Sequence, residues 1–223
     1  DTATTANYTL SLHDALPIYW GTFTIMWDSV ALPVPPRSLE ELTLPDYRNK
    51  LVLMDPRTST PGLGFLAWTQ AIYGERLADY WKRLAPSILT MSPGWDTGYG
   101  LFTSGEAPLV ISYTTSAAYH AEYEEAGRYR ALEFAEGHPV QIEGAGIVQG
   151  ARHRKAAEQF IEFMLSNEFQ SAIPLTNWMY PVSSSVSLPV SFDQARKPSK
   201  TLRVDPSTLD SATETMIDAV GSR

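Results

Sequence analysis

The spacing of apolar and polar positions changes character along this chain, and each change marks an element. Residues 20–28 (WGTFTIMWD) are dense in aromatic and β-branched side chains and predict a strand. The continuous apolar run 51–54 (LVLM) predicts a buried strand, and 65–73 (FLAWTQAIY) has apolar positions that suit a helix packed on a sheet. An amphipathic helix is expected over 77–84, a short strand over 87–90, a buried strand over 109–113 (LVISY) and a helix over 117–126. Extended chain is predicted over 140–148. The cleanest helical period lies in 155–166, where Ala156, Ala157, Phe160, Ile161, Met164 and Leu165 form one apolar stripe. A short helix over 167–172 should stop near Pro174, followed by an extended aromatic segment at 177–182 and a terminal helix over 209–220. Strands alternating with helices at this spacing predict an α/β architecture.

The joints between these elements carry the first hints of function. Between the strand at 51–54 and its helix runs Asp55-Pro56-Arg57-Thr58-Ser59-Thr60-Pro61-Gly62. Thr60 reads as the N-cap, Pro61 fits the first helical position, and Gly62 permits close approach of other backbone. Hydroxyls and free N–H groups at the positive end of a helix make a seat for a phosphate or other anion, although an ordinary capped connection reads the same way. Thr114-Thr115-Ser116 repeats the arrangement after the strand at 109–113, and Ser38 with Glu41 forms a capping box for a short helix.

Composition narrows the classes. At 223 residues the chain can bury a real core in one or two domains. A net charge of −8 leaves no basic stripe to neutralise phosphates, which argues against nucleic-acid binding. The absence of cysteine removes disulfides and thiolate zinc sites, and no apolar run is long enough for a membrane span. Residues 1–18 look unlike a domain start or a signal peptide; the run from Tyr8 to Ile18 resembles translated sequencing adaptor and is set apart as a non-native leader.

Familiar catalytic arrangements fare poorly. Gly62-Leu63-Gly64-Phe65-Leu66-Ala67 matches G-x-G-x-x-A, but the loop 55–61 separates it from the preceding strand, where a dinucleotide fold needs a tight turn. Ser59 lies in T-S-T and not in a nucleophile elbow. His120, His138 and His153 have no partner that sequence can place beside them and read as surface or helix-end residues; His120, Glu122, Glu124 and Glu125 read as a solvated face, not a metal site. The aromatics are more informative. Trp95, Tyr113, Tyr119 and Trp178 sit at or near element ends, beside glycines or hydroxyls. Each alone reads first as core; as a set they suggest a cleft that stacks a flat or cationic ligand over an anion seat.

Taken together, residues 55–64 (DPRTSTPGLG), 94–102, 109–120 (LVISYTTSAAYH), 136–138 (EGH) and 173–182 (IPLTNWMYPV) resemble the thiamine-binding periplasmic components of bacterial ABC transporters, in order and approximate spacing from about Tyr19 onward. The resemblance implies a type 2 periplasmic-binding-protein fold, in which two α/β lobes joined by crossing strands hold the ligand between them. It implies that Ser59 and Thr60 bond the ligand on its hydroxyethyl or phosphate side, and that Trp95 lines the cleft. Tyr113, Thr114, Thr115 and Ser116 would form a hydroxyl-bearing wall, with Tyr119 and Trp178 stacking on the ligand's rings. The implied partners are thiamine or a thiamine phosphate and a membrane permease, the setting is the periplasm, the state monomeric, and neither cofactor nor catalysis is expected.

On this resemblance residues 19–130 are a largely complete second lobe and 131–223 a return segment with a remnant of the first. Family members carry further sequence ahead of the point matching Tyr19, including a signal peptide, most of the first lobe and an acidic cleft residue. The stripe of the 155–166 helix would then be exposed and ligand binding weak. A micromolar complex needs about −8 kcal/mol, and each cation–π contact supplies roughly 0.5–2 kcal/mol. Alternatives are a binder of another small solute, such as a polyamine or ferric ion, although iron would call for an adjacent tyrosine pair that this chain lacks. A hydrolase using Ser59 is a further one.

Overall fold

The computed structural model describes residues 15–123 and 127–221. The chain forms two compact units, one built from residues 21–141 and 190–223 and a smaller one from residues up to 20 and 142–189.

The larger unit is organised on strand β2 (Leu51–Met54), whose four side chains are all buried. Strand β3 (Ile88–Ser92) and strand β4 (Leu109–Tyr113) pair with it in parallel on its two sides. Parallel neighbours require crossover connections, and the amphipathic segments supply them. Helix α1 (Thr60–Tyr73) and helix α2 (Leu77–Leu84) carry the chain from β2 to β3, and helix α3 (Trp95–Thr103) carries it from β3 to β4. Strand β1 (Leu16–Asp28) lies antiparallel to β4, with Phe23 opposite Tyr113 and Trp27 opposite Leu109. Helix α4 (Ser116–Tyr123) follows β4; strand β5 (Tyr129–Ala131) pairs with the end of β1, and strand β6 (His138–Ala145) begins beside strand β8 (Thr201–Leu202).

The core explains why α1 was expected to pack on a sheet. Phe65, Leu66 and Trp68 of α1 are almost wholly removed from water, as are Tyr80, Trp81 and Leu84 of α2. The polar atoms of α2 are met inside, the Trp81 indole N–H donating to Thr69 Oγ1 at 3.1 Å and the Tyr80 hydroxyl to the Leu39 carbonyl at 3.0 Å, whereas the buried Trp68 indole N–H has no hydrogen-bond partner. Helix α7 (Leu209–Gly221) closes this core, packing on α1 and α2 through Ala212, Met216 and Ala219. The chain's last helix therefore joins the same unit as residues 21–141, so the compact units do not follow the division at 130/131 expected from sequence. Ser38 Oγ accepts the Glu41 N–H at 3.0 Å as a capping box requires, but the element is only the 3-10 turn Glu41–Thr43.

In the smaller unit, β1 begins at Leu16 and pairs with strand β7 (Tyr180–Pro181), stacking Trp20 on Tyr180 with centroids 4.6 Å apart. Residues 16–18, set apart from sequence as leader, thus form strand, and Ile18 is buried; residues 1–14 lie outside the described residues. Helix α5 (Arg154–Leu165) leads into helix α6 (Asn167–Thr176), which is capped by Ser166 Oγ accepting the Phe169 N–H. Helix α6 does not stop at residue 172: Pro174 sits in its last turn, where the missing N–H removes a single bond. No residue of α5 is buried, and Phe160 and Leu165 of its apolar stripe are exposed. Helix α4 starts at Ser116, and the expected extension over 124–126 lies outside the described residues.

Candidate functional site

Because β3, β2 and β4 run parallel and each is followed by a helix, the starts of α3, α1 and α4 lie at one edge of the larger unit's sheet, beyond the carboxyl ends of the strands. Ligands of open α/β sheets bind at such an edge. Here the three joints are also tied together. The Asp55 N–H donates to the Ser92 carbonyl at 2.9 Å, and the Thr58 hydroxyl donates to the Pro93 carbonyl at 2.7 Å. Trp95, the first residue of α3, donates its indole N–H to Ser112 Oγ of β4 at 2.8 Å.

The α1 joint is set by its own turn. Asp55 and Arg57 form a bidentate pair closing at 2.6 Å, and the Arg57 backbone N–H also donates to Asp55 Oδ1. The Arg57 guanidinium therefore holds the Asp55 carboxyl below the usual aspartate range, and the loop's charge is neutralised internally. The Leu63 N–H donates to the Ser59 carbonyl at 2.9 Å, which makes Ser59 the N-cap in place of Thr60, with Thr60 first and Pro61 second in the helix. Ser59 Oγ makes no capping bond; it is buried and has no hydrogen-bond partner. Thr60 is exposed beside it. Gly62 is required here, since a Cβ at that position would lie 2.3 Å from the Met54 carbonyl oxygen. The helix start rests directly on the end of β2.

The α4 joint repeats the pattern. The Thr114 N–H donates to the Thr22 carbonyl at 2.9 Å, fixing the backbone, while Thr114 Oγ1 and Thr115 Oγ1 are buried without partners. Ser116 Oγ lies 2.8 Å from Ser112 Oγ, the same oxygen that receives the Trp95 N–H. Unpaired buried hydroxyls cost free energy, about 1–3 kcal/mol each in mutational series, and three of them on two adjoining helix starts form a set of donors and acceptors awaiting a partner.

The aromatic residues divide by location. Trp95 is 38% exposed and stacks on Tyr99 with centroids 4.6 Å apart and planes 18° apart. Tyr113 stacks on Phe23 at 4.9 Å and its hydroxyl donates to the Gln141 side-chain carbonyl. Tyr119 is 38% exposed and meets His120 and Tyr123 edge-on. Trp178 belongs to the smaller unit, just past the end of α6, and holds a left-handed backbone with φ 54° that bulky residues rarely adopt. The larger unit thus gathers Ser59, Thr60, Trp95 and 113–116 at its sheet edge, with Tyr119 one turn into α4; Trp178 is not among them.

Two histidines expected at the surface are buried. His120 is 2% exposed, with Nε2 2.8 Å from the Tyr99 hydroxyl. His138 is fully buried: its Nδ1 lies 2.8 Å from the Phe23 carbonyl, and the Phe134 N–H donates to Nε2. His153 is exposed as expected. Tyr99 and Ser112 lie inside the segments 94–102 and 109–120 that carry the resemblance, but neither stands out from sequence as a site residue; each falls one helical turn or one strand position from one that does. Among the described residues no group of three His, Asp or Glu side chains could hold a metal ion, and no helix is long and apolar enough to cross a membrane.

Comparison with known proteins gives a consistent picture. Residues 1–205 match the family described as bacterial extracellular solute-binding protein. A thiamine-binding periplasmic protein of Brucella melitensis is 47% identical over 192 residues, covering 86% of this chain and 58% of the relative. One from Escherichia coli K12 is 43% identical over 194 residues, covering 87% and 59%. The chain therefore spans less than two thirds of the length of these relatives. A solved periplasmic thiamin binding protein superposes with a TM-score of 0.89 at 40% identity, covering 96% of this chain and 68% of that one.

Proposed function

Because the chain belongs to the bacterial extracellular solute-binding proteins and has their type 2 fold, we propose that it carries the ligand-recognition surface of a periplasmic thiamine receptor. On this reading it captures thiamine or a thiamine phosphate and presents it, as a monomer, to the membrane permease of an ABC transporter, with no catalytic step and no cofactor. The relatives' identity at 43–47% favours thiamine over a polyamine or ferric ion. Nothing at Ser59 favours a hydrolase, since its hydroxyl has no base beside it.

The observation that carries the proposal is the pairing of partnerless hydroxyls with an exposed indole at one sheet edge. Thiamine joins two flat rings through a methylene group, and its cationic thiazolium ring bears a hydroxyethyl arm that can be phosphorylated. An indole face attracts a cationic ring electrostatically, by roughly 0.5–2 kcal/mol according to how well the contact is desolvated. Ser59, Thr114 and Thr115 would satisfy their hydroxyls on the ligand's polar arm, and the N-termini of α1 and α4 would favour any phosphate it bears.

The test is a tryptophan-fluorescence titration with thiamine, thiamine monophosphate and thiamine diphosphate, on the chain and on Trp95→Ala. Saturable quenching that weakens at least tenfold in the variant supports the reading. Equal response of chain and variant, or saturation by a polyamine and not by thiamine, would overturn it. The ranking of the three ligands decides whether the helix N-termini serve a hydroxyl or a phosphate.

A further inference from the structure

We propose that Tyr99 and His120 are positioning residues: a buried brace that holds the Trp95 indole flat, with one face free to stack on the ligand. The inference rests on Trp95 being a ligand-stacking residue, and it assigns work to two side chains that never touch the ligand.

Trp95 is fixed from two directions. At its edge, the indole N–H is committed to Ser112 Oγ, and that oxygen is in turn tied to Ser116 Oγ at 2.8 Å. Over one face lies the Tyr99 ring, nearly parallel at 18°. The stacking contact persists only if Tyr99 keeps its own plane. Tyr99 is 5% exposed, and its hydroxyl is bonded to His120 Nε2, with the two rings also near-parallel at 22°. His120 packs in turn against the Tyr129 ring, 4.2 Å away, and the Arg128 guanidinium lies over that ring at 4.8 Å. The Asp28 carboxylate holds Arg128 in a pair closing at 2.7 Å. A chain of contacts thus runs from an ion pair at the end of β1, through the buried Tyr129, His120 and Tyr99, to the exposed indole.

The physical gain is preorganisation. An exposed tryptophan at a helix start would sample several rotamers, and fixing it on binding would cost about 0.5–1.5 kcal/mol of side-chain entropy. A brace built in the free protein removes that cost from the binding step. His120 also meets Tyr119 edge-on, so the same imidazole supports both of the exposed aromatics at this edge.

The experiment uses the full chain and Tyr99→Phe, His120→Leu and the double variant. The double variant removes both partners of the Tyr99–His120 bond at once, so neither is left stranded by loss of the other, and the readouts are taken on whichever variants give a cooperative thermal melt. Two readouts are taken. Acrylamide quenching of the Trp95 contribution, obtained by difference from Trp95→Phe, needs no ligand; the brace predicts a higher quenching constant in every variant. Thiamine affinity should fall about two- to tenfold, the value of one lost hydrogen bond, and this loss should vanish when the substitutions are made in Trp95→Ala. Unchanged quenching in the folded double variant overturns the brace, as does an affinity loss that persists without Trp95. If the parent chain does not bind thiamine while quenching rises in the variants, the thiamine reading fails and the brace stands.

Discussion

Gly64 lies against the Phe23 ring so closely that a Cβ on the glycine would sit 2.4 Å from the ring edge. Helix α1 therefore seats on β1 at a point where only glycine fits, and Phe23 in turn stacks on Tyr113 of the site. In an unhindered helix, Gly→Ala stabilises by roughly 0.8–1 kcal/mol. At position 64 the sign should reverse, because the buried ring has to move, and overpacking of this kind costs about 1–3 kcal/mol. Gly100 in α3 is the control: nothing lies within 4 Å of a Cβ there. Urea melts of Gly64→Ala and Gly100→Ala should show opposite shifts, and a stabilised Gly64→Ala would refute the close approach.

The partnerless hydroxyls make a second, less common prediction. Thr114→Val, Thr115→Val and Ser59→Ala each remove a buried oxygen with no hydrogen bond. The free protein should keep its stability or gain up to about 1 kcal/mol, since the desolvation cost of the hydroxyl is relieved. Thiamine affinity should fall at the same time. Thermal melts and titrations of the same samples check both halves; a hydroxyl that serves only the fold would lower stability and leave affinity alone.

Much of this was legible in the chain because it is local. The strand at 109–113 and the helix at 77–84 have the bounds that their periods predict, since apolar spacing is a direct record of which face is buried. The hydroxyl-bearing joints were legible for the same reason. What sequence hid was long-range. The cap of α1 is the local exception: whether Thr60 or Ser59 fills it depends on which carbonyl receives the first helical bond, and two neighbouring hydroxyl residues read alike in sequence. His120 looked exposed because its partner, Tyr99, is 21 residues away on another helix, and His138 because Phe23 is 115 residues away. The apolar spacing of α7 was readable, but not that it packs on α1 and α2. Pattern shows that a face will be buried; it does not say against what.

Gln170 should be the most sensitive single position of the smaller unit. It is fully buried, and its amide makes four hydrogen bonds: Nε2 donates to the Ile18 and Met164 carbonyls, and Oε1 accepts from the Val182 and Ser183 N–H groups. Gln170→Leu preserves volume but strands four backbone groups. A loss of about 3 kcal/mol or more is expected, with hydrogen exchange accelerating first at residues 182 and 183, whose N–H groups lose their acceptor. Gln170→Glu should be milder below the carboxyl's pKa, where the protonated acid can still donate one bond.

His138 makes stability depend on pH in a defined direction. Burial pushes its pKa below the usual 6.5, and the backbone N–H of Phe134 donates to Nε2, which only a neutral imidazole can accept. The folded state therefore binds the proton less readily than the unfolded state. Above about pH 6.5 neither form is protonated and the contribution is whole. As pH falls below 6.5 the unfolded chain gains a proton, and stability declines until the folded-state pKa is passed. The lowered carboxyls of Asp28, Glu40 and Asp55 act in the same direction, but only in the more acidic range around and below the ordinary carboxylate pKa of about 4. Urea melts between pH 7.5 and about 5.5 thus isolate the histidines. Subtracting the profile of His138→Gln leaves the part that belongs to His138. The difference should slope downward toward acid; a flat difference would mean that His138 is protonated as easily in the fold as outside it, and the Phe134 bond could not then exist as drawn.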